Sequence, residues 1–250
     1  MKNKILLKLK KFLRNFIYYN RFLKLARAFH YQTLTPKPLI IENSDKCLLL
    51  CPHPDDETFG CGGTLLKHAK NFEIICLTDG RLAGQNQTVE ETIYIRKKEF
   101  EQCMEKLSIT SFKLLNIEDK KLIYNYQIFK SVRIDNYDYI FIPNYFDQHI
   151  DHKAVTTLLQ KSISSQKPKS NLHIVFYEVW ATLSYPNYFV DISDVIEKKK
   201  GLINIYSSQT QNLNFMDAII SLNRYRGILT DMQYAEFFSV LDLKTFMRLQ

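Results

Sequence analysis

No acidic residue precedes Glu42 in this 250-residue chain, whereas ten basic residues do, from Lys2 to Lys37. The formal charge of +8 is therefore not spread over the molecule. Taking those ten from the 34 lysines and arginines leaves 24 against 26 acidic residues, a net of about −2 for the rest. A nearly neutral body excludes the broad basic face that follows a phosphate backbone, and no nucleic-acid partner is expected. Long apolar runs are missing too. Within the first 29 residues the longest uncharged run is six residues, far below the ~20 that cross a bilayer. Charges also interrupt any signal-peptide core, and no clear small-residue cleavage site follows. Cys-x-x-Cys pairs are absent, and the cysteine count of five is odd. Three of them (Cys47, Cys51 and Cys76) lie in apolar, strand-like runs, so buried free thiols in a reducing, cytoplasmic setting are expected. Internal repeats and low-complexity tracts are also lacking.

The composition that remains is that of a soluble globular protein, with 46% hydrophobic and 24% charged residues. The N-terminal segment has apolar side chains at 5, 9, 12, 16, 19, 23 and 26, steps of three and four that predict an amphipathic helix over 4–29 with lysines and arginines on its other face. Such a helix suits peripheral contact with an anionic membrane surface, or docking on the protein's own body or a partner. "TPKP" (35–38) ends it as a linker, which divides the chain into a segment 1–40 and a domain 41–250.

From there strands and helices alternate. Strands are predicted at 47–51, 72–80, 112–116, 137–144 and 172–180, and helices at 60–70, 89–107 and 154–163, with 191–250 mostly helical. This pattern predicts an α/β fold: a Rossmann-like, mostly parallel sheet with helices on both faces. In such folds ligands sit at the carboxyl ends of the strands. "CPHPDDETFGCGG" (51–63) leaves the first strand there. Pro52 and Pro54 stiffen the turn, while Gly60, Gly62 and Gly63 permit close packing and unusual backbone angles. Helix capping would account for Asp56, Glu57 or Thr58, but not for His53 followed by two aspartates. "YFDQHIDHKAV" (145–155) leaves another strand at the same rim with His149, Asp151 and His152. Histidines and carboxylates converging from two loops point to a metal site, and nitrogen and carboxylate donors suit zinc.

"PHPDDE" with the later "HIDH" resembles the PIG-L/LmbE-type zinc-dependent N-deacetylases, which remove acetyl groups from N-acetylglucosamine-type sugars on lipids, inositols, glycopeptides or other carriers. "RKKEF" (96–100), "YEVW" (177–180), "VDISD" (190–194), "SSQ" (207–209), "RYRG" (224–227) and "YAEFF" (234–238) extend the resemblance over about 45–240; the first 40 residues fall outside it. The resemblance implies that His53, Asp56 and His152 hold zinc, with Fe2+ as an alternative ion. It makes Asp55 the general base and sets a protonated His149 beside the substrate carbonyl, oriented by Asp151. The expected partner is an amino-sugar conjugate.

Lesser candidates are Arg96, for substrate contact or as part of a solvated helix face, and Thr78 and Asp79 at the end of the second strand. Asp79 also fits an Asx turn before Gly80. Glu178 follows a strand, and Trp180 fits either a sugar-pocket wall or the core. His30, His68 and His173 read as structural or surface residues. Two other readings compete with the deacetylase: a two-metal phosphoesterase, disfavoured by too few further carboxylates at strand ends, and a non-catalytic scaffold tethered by its basic helix.

Overall fold

The computed structural model describes residues 35–84, 86–210 and 214–249, together with 16, 19 and 20. The expected basic helix over 4–29 lies, but for three residues, outside the described residues.

Eight strands form one sheet: β1 (Lys37–Pro38), β2 (Cys47–Cys51), β3 (Phe72–Thr78), β4 (Phe112–Ile117), β5 (Tyr139–Pro143), β6 (His173–Tyr177), β7 (Tyr188–Asp191) and β8 (Ala235–Asp242), in the order β1-β7-β8-β6-β5-β2-β3-β4. Among the described residues the five longest helices are α1 (Asp56–His68), α2 (Val89–Leu107), α3 (Ile150–Ser165), α4 (Ile196–Ile205) and α5 (Phe215–Ile228). Strands β4-β3-β2-β5-β6 are all parallel. The chain winds outward from β2 through β3 to β4, then returns to place β5 on the other side of β2. The switch in winding direction therefore lies between β2 and β5, the place where open α/β sheets bind ligands.

The inner parallel strands β2, β3, β5 and β6 are buried on both faces, so they read as nearly continuous apolar runs. Alternation still decides which layer each side chain joins. Cys47, Leu49 and Cys51 face the core under α1, α2 and α4, whereas Leu48 and Leu50 face the core under α3. All five cysteines are buried and unpaired. Helix α2 starts where Thr88 and Glu91 form a reciprocal capping box, and ends at Ser108 in a left-handed conformation.

One expectation is corrected and one is extended. The linker at 35–38 contributes an edge strand, Lys37–Pro38 beside β7, a position that tolerates proline. The C-terminal part is mostly helical, as expected, but it also supplies β8, which runs antiparallel between β6 and β7 and makes the sheet mixed. Its "AEFFSVL" (235–241) is buried throughout. A run covered on both faces has no alternation to separate it from a buried helix.

Candidate active site

The loop from β2 into α1 and the loop from β5 into α3 meet at the switch point. Three donor atoms close a triangle there. His53 Nδ1 lies 3.2 Å from Asp56 Oδ2, Asp56 Oδ2 lies 3.2 Å from His152 Nε2, and His152 Nε2 lies 3.3 Å from His53 Nδ1. A tetrahedral ion with bonds of about 2.0–2.1 Å needs ligand–ligand edges of about 3.3–3.4 Å. The two loops therefore form one face of a zinc-sized tetrahedron, and the three residues fit such an ion.

Each imidazole has a carboxylate behind it. His152 Nδ1 lies 3.0 Å from Asp147 Oδ2. His53 Nε2 lies 3.4 Å from Asp119 Oδ1 and 3.5 Å from Asp151 Oδ2. This is the usual way a protein fixes the tautomer of a metal-binding histidine. The imidazoles hold the Asp56 carboxyl far below the usual range against the opposing effect of burial, and the carboxylates raise His152 to about 9 although burial lowers it.

Sequence reasoning passed over Asp119 and Asp147. Both stand just beyond strand ends, Asp119 after β4 and Asp147 after β5, and their position at the rim was the available signal. The expected shortage of further carboxylates is thus corrected, but these two back the histidines instead of building a second centre. Donors of His53, Asp119, His149 and Asp151 also come within 4.8 Å of one another. That wider set is the weaker candidate, because Asp151 accepts the backbone N–H groups of Lys120 at 2.7 Å and Leu122 at 3.2 Å.

Asp55 lies beside the triangle with φ 140 and ψ −30, a backbone conformation that strains any non-glycine residue. Of the glycines, Gly60, Gly62 and Gly63 fall within α1, where they serve close packing, and the unusual angles belong to Asp55. Several contacts hold it so. Its backbone N–H donates to Glu57 Oε2 at 3.1 Å, and Glu57 is itself buried and bonded to Thr58 and Tyr206. The Asp55 carboxylate receives Arg96 Nη1 at 3.2 Å and Nη2 at 3.1 Å. Burial pushes the Asp55 carboxyl up to about 7, against the opposing pull of Arg96. Helix capping does not explain this loop, since no side-chain cap bond opens α1.

The remaining candidates separate. Arg96 is buried, neither on a solvated face nor free for a ligand alone: it is the cation of Asp55 and lines the same cavity. Gly80, at φ 63, lets the chain pass over it, since a Cβ there would lie 3.0 Å from Arg96 Nε. Thr78 turns inward and ties the exit loop down, its Oγ1 donating to the Pro52 carbonyl at 2.8 Å. Asp79 makes the Asx turn, accepting Arg81 N–H at 3.1 Å and pairing with the Arg81 guanidinium. Glu178 is bound to Arg226 and to the Leu183 N–H, facing a neighbouring cavity.

His149 caps α3, its Nδ1 accepting the Asp151 N–H at 3.3 Å, which leaves the ring proton on Nε2. Burial and the neighbouring His53 and His152 push its pKa down. The Asp151 carboxylate accepts the Lys120 and Leu122 N–H groups and does not hold the His149 ring as expected. A polar cavity of about 220 Å³ opens over the triangle, Asp55 and His149, with Trp180 and Gln209 on its walls. Trp180 is 57% exposed and so is not a core residue.

Residues 48–163 match the model of the PIG-L family, described as GlcNAc-PI de-N-acetylase. Diacetylchitobiose deacetylase of Thermococcus kodakarensis is 27% identical over 190 residues, covering 66% of this chain and 70% of the relative. A probable N-acetyl-alpha-D-glucosaminyl L-malate deacetylase 2 of Bacillus cereus is 28% identical over 184 residues, covering 66% and 83%. Among solved structures, the N,N'-diacetylchitobiose deacetylase of Pyrococcus horikoshii superposes with a TM-score of 0.70 at 25% identity, covering 79% of this chain and 84% of that one.

Proposed function

We propose that this chain, whose residues 48–163 match the model of the PIG-L family, is a metal-dependent hydrolase that removes the N-acetyl group from an N-acetylglucosamine-type amino sugar. The observation that carries this reading is the triangle of donors at 3.2–3.3 Å beside a strained carboxylate. The two curated relatives named above carry deacetylase names.

His53, Asp56 and His152 would hold the ion, with zinc favoured by the donor set. When bound, it supplies Lewis-acid polarisation of the amide carbonyl and a more acidic water. Everything else belongs to the chain. Asp55, with a pKa near the working range, takes the proton of the attacking water and returns it to the departing amine. Arg96 keeps that carboxylate aimed and limits its conformations. His149, through its Nε2–H, donates to the oxyanion as a neutral imidazole, which needs no nearby countercharge. Asp151 holds the loop after β4 against His53, and Trp180 and Gln209 border the sugar.

The test is metal content together with acetate release from N-acetylglucosamine conjugates, for the wild type, Asp56→Ala and His152→Ala. About one ion per chain, lost in both variants along with turnover, is expected. A wild-type chain that binds no ion under reconstituting conditions would sink the mechanism and favour the scaffold. Among the described residues no helix is long and apolar enough to cross a membrane. The basic segment 4–29 supports peripheral action on a cytoplasmic anionic surface, for which flotation with anionic but not neutral vesicles is the check.

A further inference from the structure

Next to the polar cavity lies a second one of about 280 Å³, and Trp180 forms a wall of both. Helix α1 joins them. Asp56 faces the donor triangle, and Phe59 and Gly60, three and four residues further on, face the second cavity. One helical turn, ~5 Å, separates them along the axis. The chemistry changes over that distance. The walls are Phe59, Val179, Phe215, Ile219, Leu222 and Phe237. The two long polar side chains there are already engaged. Glu178 is bound to Arg226 and the Leu183 N–H, while Asn223 accepts from Lys199 at 2.9 Å and donates to the Ala235 carbonyl at 3.2 Å. At the mouth the Trp180 ring stands 5.2 Å from that of Phe215 in an edge arrangement.

We infer that this cavity binds an unbranched alkyl chain of the substrate while the amino sugar occupies the polar cavity. The pairing rests on the deacetylase reading above. An apolar cavity of ~150 Å³ takes a benzene molecule, so about 280 Å³ accommodates a chain of roughly eight carbons. The chain reaches the conjugate from one of two places: the aglycone beyond the sugar, or the acyl group on its nitrogen. Trp180 lines both cavities and so stands at their boundary.

Trp180 is the single tryptophan of the protein, so its emission reports occupancy directly. The metal-loaded full chain is titrated with octyl and with methyl β-D-glucoside, below the concentration at which micelles form. Neither has an amide, so the reading does not depend on turnover. A blue shift and a dissociation constant at least ~30-fold lower for the octyl compound are expected, the effect of burying two to three methylenes. Ile219→Asp, which puts a charge in the wall, and Ala218→Phe, which fills the rim from an exposed helix position, each abolish that preference. Equal binding of the two glucosides, or an octyl preference unchanged in both variants, overturns the inference. Turnover then identifies the source of the chain. A lower KM for octyl than for methyl N-acetylglucosaminide assigns it to the aglycone, and octanoate release from N-octanoylglucosamine assigns it to the acyl group. An octyl preference without any hydrolysis counts against the deacetylase and leaves the alkyl site standing.

Discussion

Asp55→Asn changes a charge at constant shape and separates the roles of two adjacent aspartates. Asparagine tolerates positive φ better than most residues, and its amide oxygen can still face Arg96, whose two nitrogens lie 3.1 and 3.2 Å from Asp55 Oδ2. A general base contributes ~10²–10⁴ in rate, or about 3–5 kcal/mol at ~1.36 kcal/mol per tenfold. Turnover should fall by that factor while metal content stays near one per chain.

Stability of the metal-stripped chain should move the other way. The Asp55 carboxyl rises from its ordinary 3.8 to about 7 on folding, chiefly through burial. The folded state thus holds its proton more tightly, so stability is lost as pH rises from about 4 to about 7, and the loss is complete above that. About three pH units at ~1.36 kcal/mol each set a ceiling of ~4 kcal/mol. Asparagine escapes this loss. Urea unfolding of stripped protein should show the variant more stable than the wild type at pH 8, with the gap narrowing by roughly 2–3 kcal/mol at pH 5. Turnover within threefold of wild type would refute Asp55 as the base. Loss of the ion with turnover would make it a ligand, and a gap independent of pH would refute the electrostatic argument.

Asp147→Asn, which weakens the support 3.0 Å behind His152, should lower metal affinity by ~10–100-fold in chelator competition; an unchanged affinity would show that this carboxylate does not orient the ligand. His149→Ala should lower kcat by ~10²–10³ with little change in KM, and cost about 1 kcal/mol through the lost cap of α3. A change confined to KM would make His149 a substrate-binding group instead. Gly227→Ala should destabilise by ~1–3 kcal/mol, because its Cβ would lie 2.7 Å from backbone atoms of Gln233 and Tyr234 that cannot step aside. A neutral result in urea unfolding would mean that the turn into β8 is looser than described.

Much of this protein was legible along the chain. Strand 47–51 and helix 89–107 coincide with β2 and α2, since a short buried run closed by prolines and a long amphipathic period with a capping box are strong local signals. The two loops with His53, Asp55, Asp56, His149, Asp151 and His152 could be assigned to one rim, because every strand of a parallel sheet delivers its carboxyl end to the same side. Local sequence also bounded the charge: the basicity belongs to the first 37 residues.

What each side chain does there was decided in three dimensions. Winding outward from β2 and back made β5 its neighbour, and only that adjacency closes the donor triangle. Arg96 became the partner of Asp55 across 41 positions, and Asp119 came to stand behind His53. Thr78, Asp79 and Glu178 found nearer partners than any ligand. Strand β8 was unreadable because a segment buried on both faces has no period. Residue type and spacing determine what chemistry a loop can offer; distances of 3 Å between groups far apart in sequence depend on packing, so direction, protonation and pairing at this site arose only with the tertiary structure.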